Sequence, residues 1–276
     1  MTKKKVLVIA EGPDDKTFIS KLFKAYSIND CEIVEYETNI HQLYSSFDAV
    51  ISDLADDDPT AQNILLSGRK KLGEKDKEKL KGQYTDVLLV FDFDPHDHNY
   101  SKQKIIDMMN HFDDSTQYGR LYINYPMLES FRHINNSAVN SCRCDIDFFK
   151  RDFNADQLSR NRYKGTTISR EGCSHWKSWS DKQWGCVIAH HLAKASFLTG
   201  QALTEVKRGV QQDALKHGTM CLLLSKQCEQ IESDRTGHVL NTSVLYFLDT
   251  YTNKLKSIVE TAKKMMASVV VSTLTS

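Results

Sequence analysis

At 276 residues and 31.6 kDa the chain has room for one large domain or two small ones, each with its own core. Lys+Arg and Asp+Glu both total 36, so no global field draws the chain to nucleic acid or a membrane. Four prolines and 12 glycines exclude collagen-like and linker-rich chains, and no apolar run approaches the roughly 18 residues of a membrane span.

The charge is not evenly spread. Residues 1–150 carry 19 basic and 25 acidic side chains, net −6, and residues 151–276 carry 17 and 11, net +6. That split hints at an acidic, metal-binding half beside a half that tolerates phosphate. The start MTKKKVLVIAEG is a poor signal peptide, since its short apolar run meets Glu11 at once. Seven cysteines form an odd count with no short disulfide framework, so the expectation is a cytoplasmic chain with free thiols.

Lys5–Ala10 (KVLVIA) is a continuous apolar, β-branched run, the pattern of a strand buried on both faces. It stops at Glu11-Gly12-Pro13, and Asp14-Asp15 opens a helix with Phe18, Ile19, Leu22 and Phe23 on one side. Cys31–Glu37 reads as a second strand and Ile40–Leu54 as a second helix. Residues 55–84 are polar and charged, and read as a solvated helical insertion, with a basic nucleic-acid arm as the alternative. Asp86–Phe91 (DVLLVF) is the next buried strand, ending in Asp92-Phe93-Asp94. Ser101–Phe112 reads as helix and Arg120–Asn124 as a fourth strand, with Pro126–Glu129 opening another helix. From about residue 145 the pattern turns helical, over Ile146–Phe153, Lys182–Leu198, Glu205–Leu224 and Val239–Met266. The tail SVVVSTLTS reads as a short strand or a frayed end. The expected fold is α/β: a parallel sheet flanked by helices in residues 1–140, then a mostly helical half over residues 141–276.

Ligands of open parallel sheets gather at the carboxyl ends of the strands. Three strand ends carry acids here: Glu11, then Asp92 and Asp94, then Glu129. Alternation along a strand would turn Asp92 and Asp94 the same way, able to grip one ion together. Hard oxygen ligands without a His/Cys partner select Mg²⁺ or Mn²⁺. Each acid also has a structural reading, and Asp14, Asp15 and Asp97 suit helix caps and turns. The conjunction of Glu-Gly-x-x-Asp after one buried strand with Asp-x-Asp after a later one is harder to assign to structure alone.

VLVIAEGPDDKTFISKLF followed by VLLVFDFD resembles the TOPRIM domain shared by topoisomerases, bacterial primases and the overcoming-lysogenization-defect (OLD) nucleases. The family's Glu in E-G-x-x-D falls on Glu11, with Gly12 and Asp15, and its D-x-D falls on Asp92 and Asp94. INYPMLESF is similar to the N-P-x-x-E segment of small TOPRIM proteins from anti-phage and abortive-infection loci, with Tyr125 intervening between Asn124 and Pro126. That match would make Glu129 functional. The resemblance covers roughly residues 4–135 and lacks the Walker A loop, topoisomerase gate and primase zinc module of larger relatives.

The resemblance implies a Mg²⁺-dependent endonuclease acting on DNA, tRNA or other RNA, an anti-phage effector run by a separate sensor ATPase and expected as a homodimer. Glu11 would be a metal ligand or the general base, Asp92 and Asp94 would hold the metal, and Asp15 and Glu129 would serve a second ion. Arg132 would offset phosphate charge. A non-catalytic TOPRIM-fold subunit that binds nucleic acid or a partner is the principal alternative. A haloacid-dehalogenase phosphatase would want Thr or Val where His96 stands, and a receiver-like domain would want a lysine after a later strand.

In the second half, Cys142, Cys144, Cys173 and His175 could supply four zinc ligands, though both pairs have one-residue spacing where structural sites use two to four. Small buried apolar thiols are the competing reading. His190 or His191 must face the core of an amphipathic helix. Trp176, Trp179 and Trp184 interleave with Arg162, Lys164, Arg170, Lys177 and Lys182. This is the expected substrate-binding region, with Lys164, Trp176 and Lys177 as its candidates, against the alternative of an aromatic core with a basic rim.

Overall fold

The computed structural model describes residues 5–53, 59–68, 72–158, 163, 175–203, 218–246 and 252–274. The chain is α/β and divides into two compact units, residues 1–123 and 124–276, earlier than the 140/141 boundary expected from the sequence.

The first unit is built on a sheet of order β2-β1-β3-β5-β4. β1 (Val6–Ala10) lies between β2 (Cys31–Glu35) and β3 (Asp86–Asp92), parallel to both, with Ala10 opposite Glu35 on one side and Val90 on the other. All five β1 residues are fully buried, which explains the unbroken apolar run: helices cover both faces of a parallel sheet, so no face needs polar side chains. β4 (Asp113–Asp114) pairs antiparallel with β5 (Gly119–Tyr125), so the sheet is mixed rather than wholly parallel. Gly119 opens β5 at φ +111°, where a Cβ would sit 2.9 Å from Leu89 Cδ1, so only glycine fits without strain.

Helix α1 (Pro13–Ala25) buries Asp15, Phe18, Ile19, Leu22 and Phe23, the i, i+3, i+4, i+7 stripe of a helix on a sheet. Pro13 stands at its first position, where a missing N–H costs nothing. α2 (Ile40–Asp53) buries Ile40, Leu43, Phe47 and Val50 with the same logic. The expected solvated insertion is only partly that. α3 (Ala61–Ser67) buries Ala61, Ile64 and Leu65 completely and is capped by Thr60, whose hydroxyl accepts the Asn63 N–H at 3.3 Å. α4 (Glu74–Leu80) is the charged piece and buries Leu80. α5 (Lys102–His111) follows β3 and buries Ile105, Met108 and Met109.

The second unit starts with the last two residues of β5, which pair antiparallel with β8 (Leu240–Asn241). A 3₁₀ helix over Leu128–His133 replaces the α-helix expected there. α6 (Asn136–Ser141) and α7 (Ile146–Phe149) come next. The expected helix over 146–153 ends early, because Asp152–Asn154 forms β6, antiparallel to β7 (Thr236–His238). α8 (Asp181–Thr199) is buried almost all round and is the axis of this unit. His190 Nε2 accepts the Asp145 N–H at 3.1 Å, and His191 Nδ1 accepts the Asn241 N–H at 3.0 Å while its Nε2 is buried without a hydrogen-bond partner among the described residues. Lys194 Nζ donates at 2.8 Å to both the Phe148 and Arg151 carbonyls. α9 (Thr219–Asp234) and α10 (Thr252–Leu274) complete the unit. Residues 239–245, expected as helix, hold β8 and a 3₁₀ turn, and the described part of the β-branched tail expected as strand or frayed end, residues 268–274, is the close of α10. No described helix is long and apolar enough to cross a membrane.

Candidate metal centre

Parallel neighbours leave the sheet at the same end, so β1 and β3 deliver Glu11 and Asp92 side by side, on strands spaced about 4.8 Å apart. The ladder runs one residue past β1, with the Glu11 N–H donating to the Val90 carbonyl at 3.2 Å. Glu11 then turns its carboxylate across the gap, and Oε2 accepts the Asp92 N–H at 3.1 Å. Glu11, Asp92 and Asp94 are all half-buried.

Asp94 reaches this place differently from the sequence expectation. β3 ends at Asp92, and Asp94 adopts a left-handed conformation, φ +43°, so strand alternation does not set its direction. Three contacts hold the turn instead. Phe93 is fully buried with its ring edge-on to Tyr100 at 5.8 Å. The Asp94 carbonyl accepts the Asp97 N–H at 3.1 Å and the ring nitrogen Nε2 of His41, also at 3.1 Å, so His41 carries its proton on Nε2. Asp97 in turn accepts from the Asn99 N–H and the Asn39 amide, both at 2.7 Å. Burial works to raise the Asp97 pKa, but the Asn99 N–H, the neighbouring His41 and His98 and the Asn39 amide outweigh it and hold the carboxyl below its ordinary range. Asp97 is therefore the loop organiser its position suggested. His41 was not singled out from the sequence: it lies in α2, 53 positions before Asp94, with no local pattern to mark it.

Asp15 sits in the first turn of α1, 6% exposed, and its Oδ2 accepts the Gly12 N–H at 3.2 Å. That is the reciprocal carboxylate of a helix start, the cap reading in atomic form.

The remaining candidates lie in the second unit. Glu129 is 3% exposed in the 3₁₀ helix. Arg132 stacks its guanidinium over the rings of Phe131 at 5.5 Å and Trp176 at 5.6 Å, and Lys177 Nζ lies 5.7 Å from the same indole. Three separately proposed residues thus meet. Trp176, Trp179 and Trp184 are all buried, with Trp176 and Trp179 edge-on to both Phe131 and Trp184, so this is an aromatic core with a basic rim. What the cluster offers a phosphate is its cations; the Trp176 indole, as a stacking platform for a base, is covered. Lys164 and Cys173 lie outside the described residues. Cys144 donates to the Met265 carbonyl at 3.6 Å, and burial, then Asp145, pushes its thiol up to about 11, the behaviour of a small core residue.

Among the described residues, no group of three or more His, Cys, Asp or Glu side chains is gathered closely enough to hold one ion. Glu11, Asp92 and Asp94 supply hard oxygen donors from one sheet end, the chemistry that suits Mg²⁺ or Mn²⁺, and their fit is one of donor type and backbone placement. No family model matches the sequence, and neither a curated protein nor a solved structure matches it.

Proposed function

We propose that the chain is a Mg²⁺-dependent nuclease that hydrolyses nucleic-acid phosphodiesters, with Glu11, Asp92 and Asp94 as its working carboxylates. The observation that carries this reading is the Glu11–Asp92 contact, in which two motifs 81 positions apart meet at the carboxyl ends of adjacent parallel strands. The Asp92 N–H orients the Glu11 carboxylate, and His41 orients the turn that presents Asp94. Asp92 and Asp94 would hold the ion, and Glu11 would either join them as a ligand or take a proton from an attacking water as general base. A divalent cation bound there would polarise the phosphodiester and ease deprotonation of that water. The resemblance to TOPRIM effectors supports a role in anti-phage defence beside a sensor ATPase.

Glu11→Gln tests this cleanly, because the amide still offers an oxygen to the Asp92 N–H while its charge is gone. Wild type and variant are compared on supercoiled plasmid and total tRNA, with Mg²⁺ or with EDTA. Cutting that needs the metal and falls about 100-fold or more in the variant supports the reading. Equal cutting by both chains overturns the site. A wild type that neither cuts nor binds Mg²⁺ in calorimetry overturns the activity in favour of a binding subunit.

A further inference from the structure

Two cysteines reach one backbone carbonyl in the second unit, where α6 docks on the first turns of α8. Cys142 caps α6 in a left-handed conformation, φ +53°, with its N–H returned to the Ala138 carbonyl. The same carbonyl oxygen lies 3.6 Å from Cys186 Sγ, so both cysteines share one acceptor. One turn earlier on α8, Gln183 Nε2 donates to Asn140 Oδ1 at 2.8 Å, which fixes the docking. Cys142 is half-buried and Cys186 is fully buried. The Cys186 thiol donates to the Ala138 carbonyl, which brings it to the C-terminal turn of α6 beside Cys142.

His190 lies beside the pair in a defined tautomer. Nε2 must accept, since the Asp145 backbone N–H points at it, so Nδ1 carries the proton. Nδ1 lies 2.9 Å from the Cys186 carbonyl and 3.6 Å from Cys186 Sγ. The cysteines of the chain are not equal in reactivity. The bond from Cys186, with the Lys182 charge assisting against burial, brings Cys142 down to about 7. Burial pushes Cys31 up to about 12 and Cys144 up to about 11, leaving both as thiols at neutral pH.

We propose that Cys142 and Cys186 are a hydroperoxide-reactive pair, in which Cys142 is oxidised first and Cys186 closes a disulfide onto it. The Cys142 thiolate attacks a peroxide oxygen; the S–O bond forms, the O–O bond breaks, and the leaving oxygen takes up a proton as water or an alcohol. Cys142 is now a sulfenic acid, oxidised by two electrons, and the peroxide is reduced. The Cys186 sulfur then attacks the Cys142 sulfur; the S–S bond forms, the S–O bond breaks, and hydroxide leaves as water with the Cys186 proton. The net change is two thiols and one hydroperoxide giving one disulfide, one alcohol or water, and one further water. The disulfide so formed holds the two sulfurs about 2.05 Å apart.

Trypsin separates the evidence, since cleavage after Arg143 parts Cys142 from Cys144, and Cys186 sits alone between Lys182 and Lys194. The reduced full chain is titrated with hydrogen peroxide, blocked with N-ethylmaleimide and mapped by mass spectrometry. The expected result is one linked pair, the Cys142 peptide with the Cys186 peptide, about 2 Da lighter than the sum of the thiols and reversed by dithiothreitol. Cys186→Ser should abolish the link and leave Cys142 as a sulfenic acid trapped by dimedone, with sulfinic acid at higher peroxide. A second measurement needs no variant: at pH 7 iodoacetamide should label Cys142 at least about tenfold faster than Cys31 or Cys144. Oxidation of Cys142 to sulfinic acid in the wild type without the link, a link to another cysteine, or equal labelling rates would each overturn the proposal.

Discussion

Lys194 allows a quantitative test of how the second unit tolerates a buried amine. Its side chain is fully buried, and burial, against the weaker pull of Asp152, brings its pKa from 10.5 down to about 7. A neutral amine has two N–H donors, and the structure supplies two acceptors, the Phe148 and Arg151 carbonyls at 2.8 Å. The sign follows from linkage. Between pH 7 and 10.5 the unfolded chain holds a proton on this lysine that the folded chain has released, so stability rises with pH across that window. The slope is about 1.4 kcal/mol per pH unit for one proton, or about 2 kcal/mol between pH 7.5 and 9. Lys194→Met keeps the volume and removes the titration. The two carbonyls are not orphaned by it, because Phe148 O also accepts the Arg151 N–H and Arg151 O accepts the Val239 N–H. Urea unfolding of both chains at pH 6, 7.5 and 9 should show wild type gaining stability relative to the variant, by about 1 kcal/mol from pH 6 to 7.5 and by about 2 kcal/mol from pH 7.5 to 9. Titrations away from this lysine, including that of Cys142, are common to both chains and cancel; His191, which the Lys194 charge helps to lower, titrates well below the pH 7.5 to 9 window. A gap that stays constant would show that the folded chain keeps the ammonium, held by the two carbonyls and the Phe148 ring 4.8 Å away, and would refute the argument.

His41→Ala removes the N–H that holds the Asp94 carbonyl, and Mg²⁺ affinity by calorimetry should weaken about tenfold while the circular dichroism spectrum is unchanged. Asp15→Ala should cost about 1 kcal/mol in urea unfolding through loss of the helix start, whereas Asp15→Asn, which keeps an oxygen for the Gly12 N–H, should leave Mg²⁺ affinity as it is. Weaker metal binding in Asp15→Asn would make that residue a ligand rather than a cap. Burial holds His190 and His191 below the ordinary imidazole range, so protons bind the unfolded chain first as pH falls from 6.5 and the urea midpoint should drop toward pH 5. His191→Gln should make that drop shallower.

What the sequence discloses about this fold is what short-range periodicity can carry. The run Val6–Ala10 is apolar at every position because it is buried on both faces, and Val87–Phe91 of β3 reads the same way for the same reason. The stripe of α1 is equally local. Errors arose where a pairing partner lies far along the chain. Asp152–Asn154 has a helix-compatible composition and becomes a strand because Thr236–His238 lies beside it. The β-branched residues Val269–Val271 favour a strand in isolation and are helical because α10 packs lengthwise on α8. Ala61, Ile64 and Leu65 are hidden among polar and charged neighbours, since a seven-residue helix with only these three apolar positions buried is too short to outweigh them by pattern.

The candidate centre divides along the same line. Glu11 and Asp92 are legible because each ends a buried strand, and their meeting needs only that the two strands be parallel neighbours. Asp94 is not legible in this way. Its direction depends on a left-handed turn that Phe93 anchors from below and His41 grips from α2, contacts that no spacing rule contains. A motif of the form Asp-x-Asp therefore specifies two carboxylates of quite different character. The first is set by the sheet, and to move it the strand must move. The second is set by a loop whose hydrogen bonds come from Asn39, His41, Asp97 and Asn99, so its carboxylate can be displaced while the sheet stays intact. If metal affinity is tuned anywhere in this molecule without loss of fold, it is through the side chains of Asn39, His41 and Asp97, and substitutions there should separate metal binding from stability where substitutions in β1 or β3 cannot.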